Sequence, residues 1–302
     1  MHIRASHSSV SLFKGCQRRY FHYKVNKTKI DSDASDDTRA LRIGTCTHKI
    51  LEDSNHVVEN ITKEKLEEAF RESRFPAGDQ DRTMIMVMVE KYLQLHRKSE
   101  LDIITCEIEI GDDDVIGYVD AVMGQSDGGW WVVDLKTAAK LGAQLLSSLH
   151  KDPQLNLYSS YAPQIAEKLG LDLGKFMGIR YRVMTKSVLK KKNLETAAAF
   201  RLRLLEKIES YDIAIPVGDM DPEATKRDTM RTLGQMRGLL RMKESDVPQN
   251  FGNCFNYFRP CQWWSHCYKK PFTEAAKTYI ASDSKNMLPV TTGKKLSLID
   301  HI

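Results

Sequence analysis

The sequence predicts a mixed α/β fold in which one central sheet is flanked by helices. Apolar residues follow the helical period up to Leu95, and the period switches to two between Ile104 and Leu135. Turn-forming stretches interrupt this alternation twice, which indicates a meander of three strands. A helix and a further strand come next, and this order of elements is typical of a sheet with helices packed around it.

Four helices are predicted before the sheet. Ser6 to Ser9 offer N-caps for the first helix, and a polar, Asp- and Ser-rich loop over residues 26–38 separates it from the second. Residues at the helical period mark each helix, in order Leu12, Phe13, Cys16 and Tyr20; Leu41, Gly44, His48 and Leu51; the segment 66–70; and the segment 84–95.

The sheet and the elements after it follow from alternation and capping. Strands are expected at 104–110, 115–123 and 130–135, with turns at 111–114 and 125–129. Asp152 before Pro153 is an N-cap followed by proline at the first helical position, which opens a helix to Leu169. Residues 177–183 alternate as a further strand, and the remainder to about residue 245 is expected to be helical with a break at 216–222. The tail from residue 282 is expected to be disordered or to add a final strand.

Composition limits the class of protein. The 302 residues carry a net charge of +5, which permits a polyanionic partner but does not demand one. No apolar run approaches the roughly 20 residues of a spanning helix, and the N-terminus lacks the apolar core of a signal peptide. We therefore expect a cytoplasmic protein with no membrane partner. Six cysteines in that reducing compartment favour metal ligation or burial over a disulfide framework.

One stretch is clearly basic. Residues 180–192 include Lys190, Lys191 and Lys192 and contain no acid. A solvated face or loop is favoured there over a nucleic-acid contact.

Two acids and a lysine form the candidate catalytic site. If the second hairpin loop is centred on Asp127, antiparallel partners have numbers that sum to 254, so Asp120 faces Asp134. Lys136 shares a face with Asp134, because strand side chains repeat every two residues. Two opposed carboxylates suit Mg²⁺ or Mn²⁺, which would activate water for phosphodiester hydrolysis while the lysine stabilises developing charge. A one-residue slip of the loop breaks this arrangement, and a surface ladder of ion pairs fits the spacing equally well.

Three more side chains are candidates on helices. His48 lies on the helix before the sheet, where a histidine taken alone is more often a core residue than a ligand. Gln154 and Tyr158 are four residues apart and so lie on one helical face. Their spacing alone favours a helix–sheet packing contact.

Cysteines near both ends of the chain form a second candidate site. Cys16 is followed much later by Cys254, Cys261 and Cys267, and thiolates brought together from both ends suit a metal or iron–sulfur centre. The late cysteines are separated by six and five residues, whereas structural zinc sites more often use pairs two to four apart, so the spacing favours iron–sulfur. His266 is the alternative ligand of a zinc site. Trp263, Trp264 and Tyr257 would pack around the centre, while Cys46 and Cys106 lie on apolar stripes and are expected to be buried thiols.

Several motifs, in order, resemble those of the PD-(D/E)XK nuclease superfamily. They are Gly44-Thr-Cys-Thr-His48-Lys-Ile-Leu51-Glu52, Gly117-Tyr-Val-Asp120, Asp134-Leu-Lys136-Thr137 and Gln154-Leu-Asn-Leu-Tyr158. Together with the flanking cysteines, they are most similar to the RecB-like branch that carries an iron–sulfur cluster. That branch includes CRISPR-associated adaptation exonucleases, the AddB-type nuclease domain and phage exonucleases.

The resemblance implies a restriction-endonuclease-like fold and a role for each residue. His48, Asp120 and Asp134 would be ligands of Mg²⁺ or Mn²⁺, Lys136 would be the catalytic lysine, and Gln154 and Tyr158 would support the site and the DNA. Cys16, Cys254, Cys261 and Cys267 would hold a [4Fe–4S] cluster that closes an extra helical region. This sequence departs from the family pattern in having no proline before Asp120 and an aspartate as its second acid. Glu107 would oppose Asp120 if the first hairpin turns at residues 113–114, although an outward-facing glutamate is favoured.

These expectations combine into one hypothesis. Residues 1–281 would form a single nuclease domain, with the N-terminal helix and residues 251–268 as its cluster-binding part and 282–302 as a tail. The protein would be a metal-dependent deoxyribonuclease, an exonuclease acting on DNA ends or single strands in recombination, repair or phage DNA processing. Since no Gly-x4-Gly-Lys-Ser/Thr loop is present, it would act alone, as a homo-oligomer, or beside a separate helicase or recombination protein in a bacterial or phage-infected cell.

One alternative comes from another functional class. A non-catalytic DNA-binding or recombination accessory protein would use the same fold as a scaffold. The presence of Asp120, Asp134 and Lys136 together argues against it, because a scaffold does not need all three.

Overall fold

The computed structural model describes residues 3–27, 37–256, 259–261 and 263–268. The chain divides into two compact units. The first comprises Met1–Ser11 and Asp31–Arg241, and the second comprises Leu12–Ile30 and Met242–Ile302. The second unit is thus assembled from segments near both ends of the chain. Residues 28–36 of the predicted loop and the predicted tail 282–302 lie outside the described residues.

Helices come first along the chain, a meander of three strands follows, and further helices and strands come after it. The helices are α1 (His7–Gly15), α2 (Gln17–Tyr20), α3 (Asp37–Asp53), α4 (Lys63–Glu72), α5 (Gln80–Arg97), α6 (Ala143–Ser148), α7 (Pro153–Ser160), α8 (Ala162–Leu169), α9 (Ala197–Lys207), α10 (Pro222–Leu239) and α11 (Trp264–Tyr268). The strands are β1 (Asp102–Gly111), β2 (Ile116–Gly124), β3 (Trp130–Ala138), β4 (Phe176–Thr185), β5 (Ser210–Pro216), β6 (Phe255–Asn256) and β7 (Arg259–Pro260). A π-helical turn, Phe21–Val25, follows α2.

The first unit contains a mixed sheet with the strand order β1-β2-β3-β4-β5. The strands β1, β2 and β3 form the predicted antiparallel meander. The crossover through α6, α7 and α8 then makes β4 parallel to β3, and β5 adds an antiparallel edge. The prediction of one mixed sheet with helices around it is confirmed.

The register of the second hairpin is the predicted one. Ala121 pairs with Val133 and Gly124 pairs with Trp130, so the partners' numbers sum to 254. Extending this register by one step places Asp120 beside Asp134. The regular ladder of backbone hydrogen bonds ends at Ala121 and Val133. Beyond this pair, the backbone N–H of Leu135 donates to the side chain of Asp120.

The prediction that the chain is helical up to residue 245 is wrong at β5. Tyr211, Ile213 and Ile215 alternate along Ser210–Pro216, which is a period of two rather than 3.6. The strand pairs with β4 from Ser210 opposite Met184 to Pro216 opposite Gly178. Seven residues between two helices give a weak local signal, and pairing with a neighbouring strand stabilises the extended conformation.

The prediction of one helix from Pro153 to Leu169 is also wrong. The structure has two helices that break at Tyr161, whose φ of −101° and ψ of 9° are not helical. Pro163 has no N–H to donate to the Ser159 carbonyl, and its ring crowds the preceding turn. The first helix therefore ends at Ser160, and α8 begins at Ala162.

A large apolar cluster packs helices α3, α4, α5 and α9 against one face of the sheet. From the sheet it includes Leu135 and Met184, and from α5 it includes Met84, Ile85, Met88 and Tyr92. The Asp79 side chain caps α5 by accepting a hydrogen bond from the Asp81 backbone. None of the described helices is long and apolar enough to cross a membrane.

Candidate functional site

Asp134 lies in the middle of β3 and is fully buried. One carboxylate oxygen, Oδ1, accepts a hydrogen bond of 2.8 Å from Nζ of Lys136. The other, Oδ2, is buried and has no hydrogen-bond partner among the described residues. Burial raises the pKa of Asp134 to about 7, although the Lys136 ammonium opposes the shift and the Asp120 carboxylate adds to it. A buried carboxylate with an unsatisfied oxygen is a group that a cation would stabilise.

Asp120, near the middle of β2, is held in its ionised form. Its Oδ2 accepts a hydrogen bond of 2.7 Å from the backbone N–H of Leu135. Its Oδ1 lies 3.3 Å from Nδ1 of His48. Burial favours the neutral carboxyl, but the hydrogen bonds from His48 and Leu135 and the nearby Lys136 outweigh it, so the pKa of Asp120 is lowered.

His48 reaches this pair from α3. It is half-buried, with 32% of its side chain exposed. The same helix buries Ile43, Cys46 and Ile50 in the core, which fixes the position from which His48 reaches Asp120. The structure thus brings His48, Asp120, Asp134 and Lys136 together.

Gln154 and Tyr158 reach the site from α7. Nε2 of Gln154 donates a hydrogen bond of 2.7 Å to the Tyr158 hydroxyl. Burial raises the pKa of Tyr158, and the negative charge of Asp134 adds to the shift because the phenol lies close to this carboxylate. Asp152 fixes the start of α7 by accepting hydrogen bonds from the backbone N–H groups of Gln154 and Leu155. These two side chains contact each other and lie near the acids.

Glu107 lies where the first hairpin register places it. Cys106 pairs with Ala121 and Ile108 pairs with Val119, so Glu107 is opposite Asp120. Its side chain is exposed, as favoured, and its φ of 45° marks an irregularity in the strand. Glu107 also interacts with Glu52 of α3; burial, followed by the charge of Glu107, raises the pKa of Glu52.

Two residues near the site were not among the candidates predicted from the sequence. His7, at the start of α1, makes a side-chain hydrogen bond with Gln154 and lies within electrostatic reach of Lys136 and Asp152; burial, the largest effect, lowers its pKa. Tyr181 of β4 is the register neighbour of Asp134. The alternation along β4 could have indicated Tyr181. Nothing local indicates His7, because its contacts come from sequence positions more than 120 residues away.

The donor set fits a divalent cation, although a complete coordination shell is not assembled. No three His, Cys, Asp or Glu side chains in the described part of the chain are grouped closely enough to hold a metal ion. Lys136 instead occupies one oxygen of Asp134, and His48 occupies one oxygen of Asp120. Two carboxylates and an imidazole are suitable ligands, and the unsatisfied Oδ2 of Asp134 is the observation that favours a cation there.

In the second unit, the four predicted cysteines line one small cavity. Cys16, Cys254, Cys261 and Cys267 share its wall with Arg19 and Trp263. All six cysteines of the chain are free of disulfides. Burial raises the pKa of both Cys261 and Cys267, and the nearby Cys16 adds to each shift. Four thiols around one cavity suit a metal or iron–sulfur group by their chemistry, although the described residues do not hold them in a closed ligand set.

Aromatic rings surround the cavity, and a backbone hydrogen bond connects two of the cysteines that line it. The Cys261 N–H donates to the Cys254 carbonyl at 2.7 Å. Trp263 is buried and stacks on His22, with ring centroids 5.5 Å apart. His266, the alternative zinc ligand, packs against the rings of His22 and Trp263 and does not line the cavity.

The remaining cysteines and aromatic residues lie in different surroundings. Trp264 lines the cavity, whereas Tyr257 lies outside the described residues. Cys46 is fully buried in the core, and Cys106 is half-buried against a smaller apolar cluster. Neither of these thiols lines the cavity.

Comparison with known families gives one match to a family model. Residues 4–268 match the family model of the PD-(D/E)XK nuclease superfamily. This range covers most of the chain. No curated protein matches the chain.

Proposed function

Because the chain belongs to the PD-(D/E)XK nuclease superfamily, whose members are typically nucleases that use divalent metals such as Mg²⁺ or Mn²⁺, we propose that it hydrolyses phosphodiester bonds of DNA. The mixed sheet with flanking helices is consistent with a restriction-endonuclease-like fold. The single observation that supports the proposal most strongly is the buried Asp134 carboxylate with one unsatisfied oxygen beside Asp120 and Lys136.

The mechanism assigns each side chain a task. His48, Asp120 and Asp134 would hold the cation, which supplies a Lewis acid for the phosphate and a lowered pKa for water. Lys136, once released from Asp134, places its ammonium group where negative charge develops on the phosphate. Gln154 holds the Tyr158 hydroxyl in place, and this pair would orient the DNA strand beside the acids.

The mode of action we propose is exonucleolytic. The chain would act on DNA ends or single strands during recombination, repair or phage DNA processing. It would work alone, as a homo-oligomer, or beside a separate helicase or recombination protein, since the sequence contains no phosphate-binding loop of a motor. The reducing cytoplasm of a bacterial or phage-infected cell would keep the six cysteines free.

The proposal extends to a [4Fe–4S] cluster of the RecB-like type. Cys16, Cys254, Cys261 and Cys267 would be its ligands, and their shared cavity supports this assignment. The cluster would link segments from both ends of the chain. Residues 1–281 would then form one nuclease domain whose cluster-binding part includes the N-terminal helix and residues 251–268.

The experiment that tests the function uses end-labelled DNA. Anaerobically purified protein is incubated with 5′- or 3′-labelled single- and double-stranded DNA in Mg²⁺, Mn²⁺ or EDTA. We expect cleavage that requires the metal and, for an exonuclease, short products released progressively from one end. DNA binding without cleavage in either metal would contradict the proposal and favour the accessory protein.

A further inference from the structure

The loop between β4 and α9, residues 186–196 (here called the basic loop), begins beside the end of the catalytic strand. The Lys186 N–H donates a hydrogen bond of 2.7 Å to the carbonyl of Ala138, the last residue of β3. Nζ of Lys186 donates to the carbonyl of Ala40 on α3 at 3.3 Å. The basic loop therefore contacts β3 and α3, two of the three elements that carry candidate ligands.

The distance along the strand suits a substrate that extends past the site. Ala138 lies four residues beyond Asp134, which is about 13 Å at about 3.3 Å per strand residue. This length corresponds to about four nucleotide steps of a duplex strand at 3.4 Å each. A DNA strand with its scissile phosphate at Asp134 would reach the basic loop within a few nucleotides.

The backbone of the basic loop is anchored. The Lys191 N–H donates to Oε1 of Gln80 at 2.9 Å, and the Lys192 N–H donates to Oε2 of Glu195 at 2.8 Å. Arg203 of α9 donates to the Lys190 carbonyl at 3.0 Å. These bonds fix the path of the backbone without using the lysine ammonium groups.

The charge of the basic loop is almost entirely positive and open to solvent. It contains four lysines and one acid, Glu195. That acid forms a salt bridge of 2.7 Å with Arg203. Lys190, Lys191 and Lys192 are exposed, and none of them forms a carboxylate ion pair within the described residues. Three adjacent ammonium groups on a fixed backbone are suited to contact successive phosphates.

We propose that the basic loop is a DNA-backbone platform that holds the strand on one side of the scissile phosphate. The inference rests on the proposed nuclease function and adds a second contact to it. The contact is with phosphates, so it favours DNA without regard to base sequence. It assigns to Lys190, Lys191 and Lys192 a role in substrate binding rather than in the chemical step.

The test compares two double variants that remove the same charge. Lys190→Gln/Lys191→Gln alters the basic loop. Arg97→Gln/Lys98→Gln alters an adjacent exposed pair at the end of α5. The end of α5 leads into β1 at Asp102, which pairs with Gly124 of β2. Gly124 pairs in turn with Trp130 at the start of β3, and Trp130 lies six residues before Lys136. The control pair is thus at the end of the sheet away from the catalytic lysine.

Binding of labelled single-stranded DNA is measured in EDTA over a series of salt concentrations, and cleavage is measured with metal. For the loop variant we expect Kd and KM to rise about tenfold and the salt slope to fall by about 1.4, or about 0.7 per phosphate contact. The kcat at saturating DNA should stay unchanged, and the control variant should behave as the wild type.

The outcomes separate the platform from the proposed function. If the wild type binds and cleaves DNA but the loop variant matches the control in Kd and salt slope, the platform alone is overturned. Tighter binding by the loop variant also overturns it. A wild type that neither binds nor cleaves DNA overturns the function and the platform together.

Discussion

Asp120 and Asp134 are neighbouring carboxylates that the fold places in opposite states. Hydrogen bonds from His48 and Leu135 lower the pKa of Asp120 against the effect of burial. Burial raises the pKa of Asp134 to about 7, even with Lys136 beside it. The cost of burying the second charge is the physical reason to expect a cation at this position.

The first prediction concerns the stability of metal-free protein. The folded pKa of Asp134 is raised above its unfolded value, so the folded state is destabilised progressively as the pH rises from about 4, the ordinary value, to about 7, and the loss is complete above that. In EDTA at pH 8, Asp134→Asn should therefore have a higher Tm than wild type, and the difference should vanish near pH 4. Adding Mn²⁺ should raise the Tm of the wild type but not of the variant. Equal Tm values at both pH values would contradict the assignment of a strained buried charge.

The second prediction concerns catalysis by Lys136. Lys136→Ala should reduce cleavage at least about a hundredfold, because the ammonium group acts on charge in the transition state. DNA affinity and the folded state should remain largely intact, as measured by anisotropy and circular dichroism. Lys175→Ala, directly before β4 at the opposite end of the sheet, is the control. Cleavage by Lys136→Ala at the parental rate would show that the site is misassigned.

Residue-level inference from the sequence succeeds where a local pattern fixes the geometry. The hairpin loop sets the sum of partner numbers, so the neighbourhood of Asp120 and Asp134 follows from the turn. The approach of His48 required the resemblance, since a helix can pack on a sheet in many ways. The contact of His7 with Gln154 depends on where α1 lies on the fold, and no local pattern contains that information.

At the scale of elements, salt bridges to one aspartate join β5 to β4. Arg182 is fully buried and forms a salt bridge of 2.9 Å with Asp212. Arg180 forms a second one with the same carboxylate at 2.8 Å. Burial opposes the charge of Asp212, but the two arginines outweigh it, so its pKa is lowered. Its contribution to stability is present at neutral pH and is lost as the pH falls through the folded pKa.

The third prediction tests whether these salt bridges stabilise the protein. Asp212→Ala should lower the free energy of unfolding by about 3 kcal/mol, because it leaves Arg182 buried without a countercharge. Urea denaturation at pH 7 measures the change, with exposed Asp219→Ala as the control. The double variant Arg182→Met/Asp212→Ala should recover part of the loss. A single variant as stable as wild type would mean that the pair does not stabilise β5.

The burial of this ion pair is a feature of β5 that alternation does not predict. Asp212 occupies a position that alternation assigns to solvent, yet its side chain is only 6% exposed because Arg180 and Arg182 lie on the neighbouring strand. The break between α7 and α8, by contrast, could have been predicted, since Pro163 is visible in the sequence. Long periodic segments such as α5 were predicted correctly because one face must pack on the core.

At the scale of the whole molecule, the second unit joins segments near both ends of the chain. Cys16 and Cys254 are 238 positions apart and line the same cavity. A cluster that binds both would close nearly the whole chain into a loop. By analogy with long disulfide loops, this constraint on the unfolded chain is worth about 5.5 kcal/mol. We therefore expect the cluster to stabilise the protein rather than to transfer electrons.

The fourth prediction follows from that role. Cys261→Ser should lose iron, sulfide and brown colour, and its solubility and Tm should fall, because the link between the two chain segments is broken. Activity should decline as a consequence of instability, so cleavage measured at low temperature should be affected less than cleavage at high temperature.

The matched control is Cys106→Ser, which changes a half-buried thiol that does not line the cavity, and this variant should keep its iron. Iron analysis, absorbance and thermal melting of anaerobically prepared protein provide the measurements. A colourless Cys261→Ser protein with the stability and activity of wild type would contradict the stabilising role, and wild type that contains zinc and no iron would overturn the cluster itself.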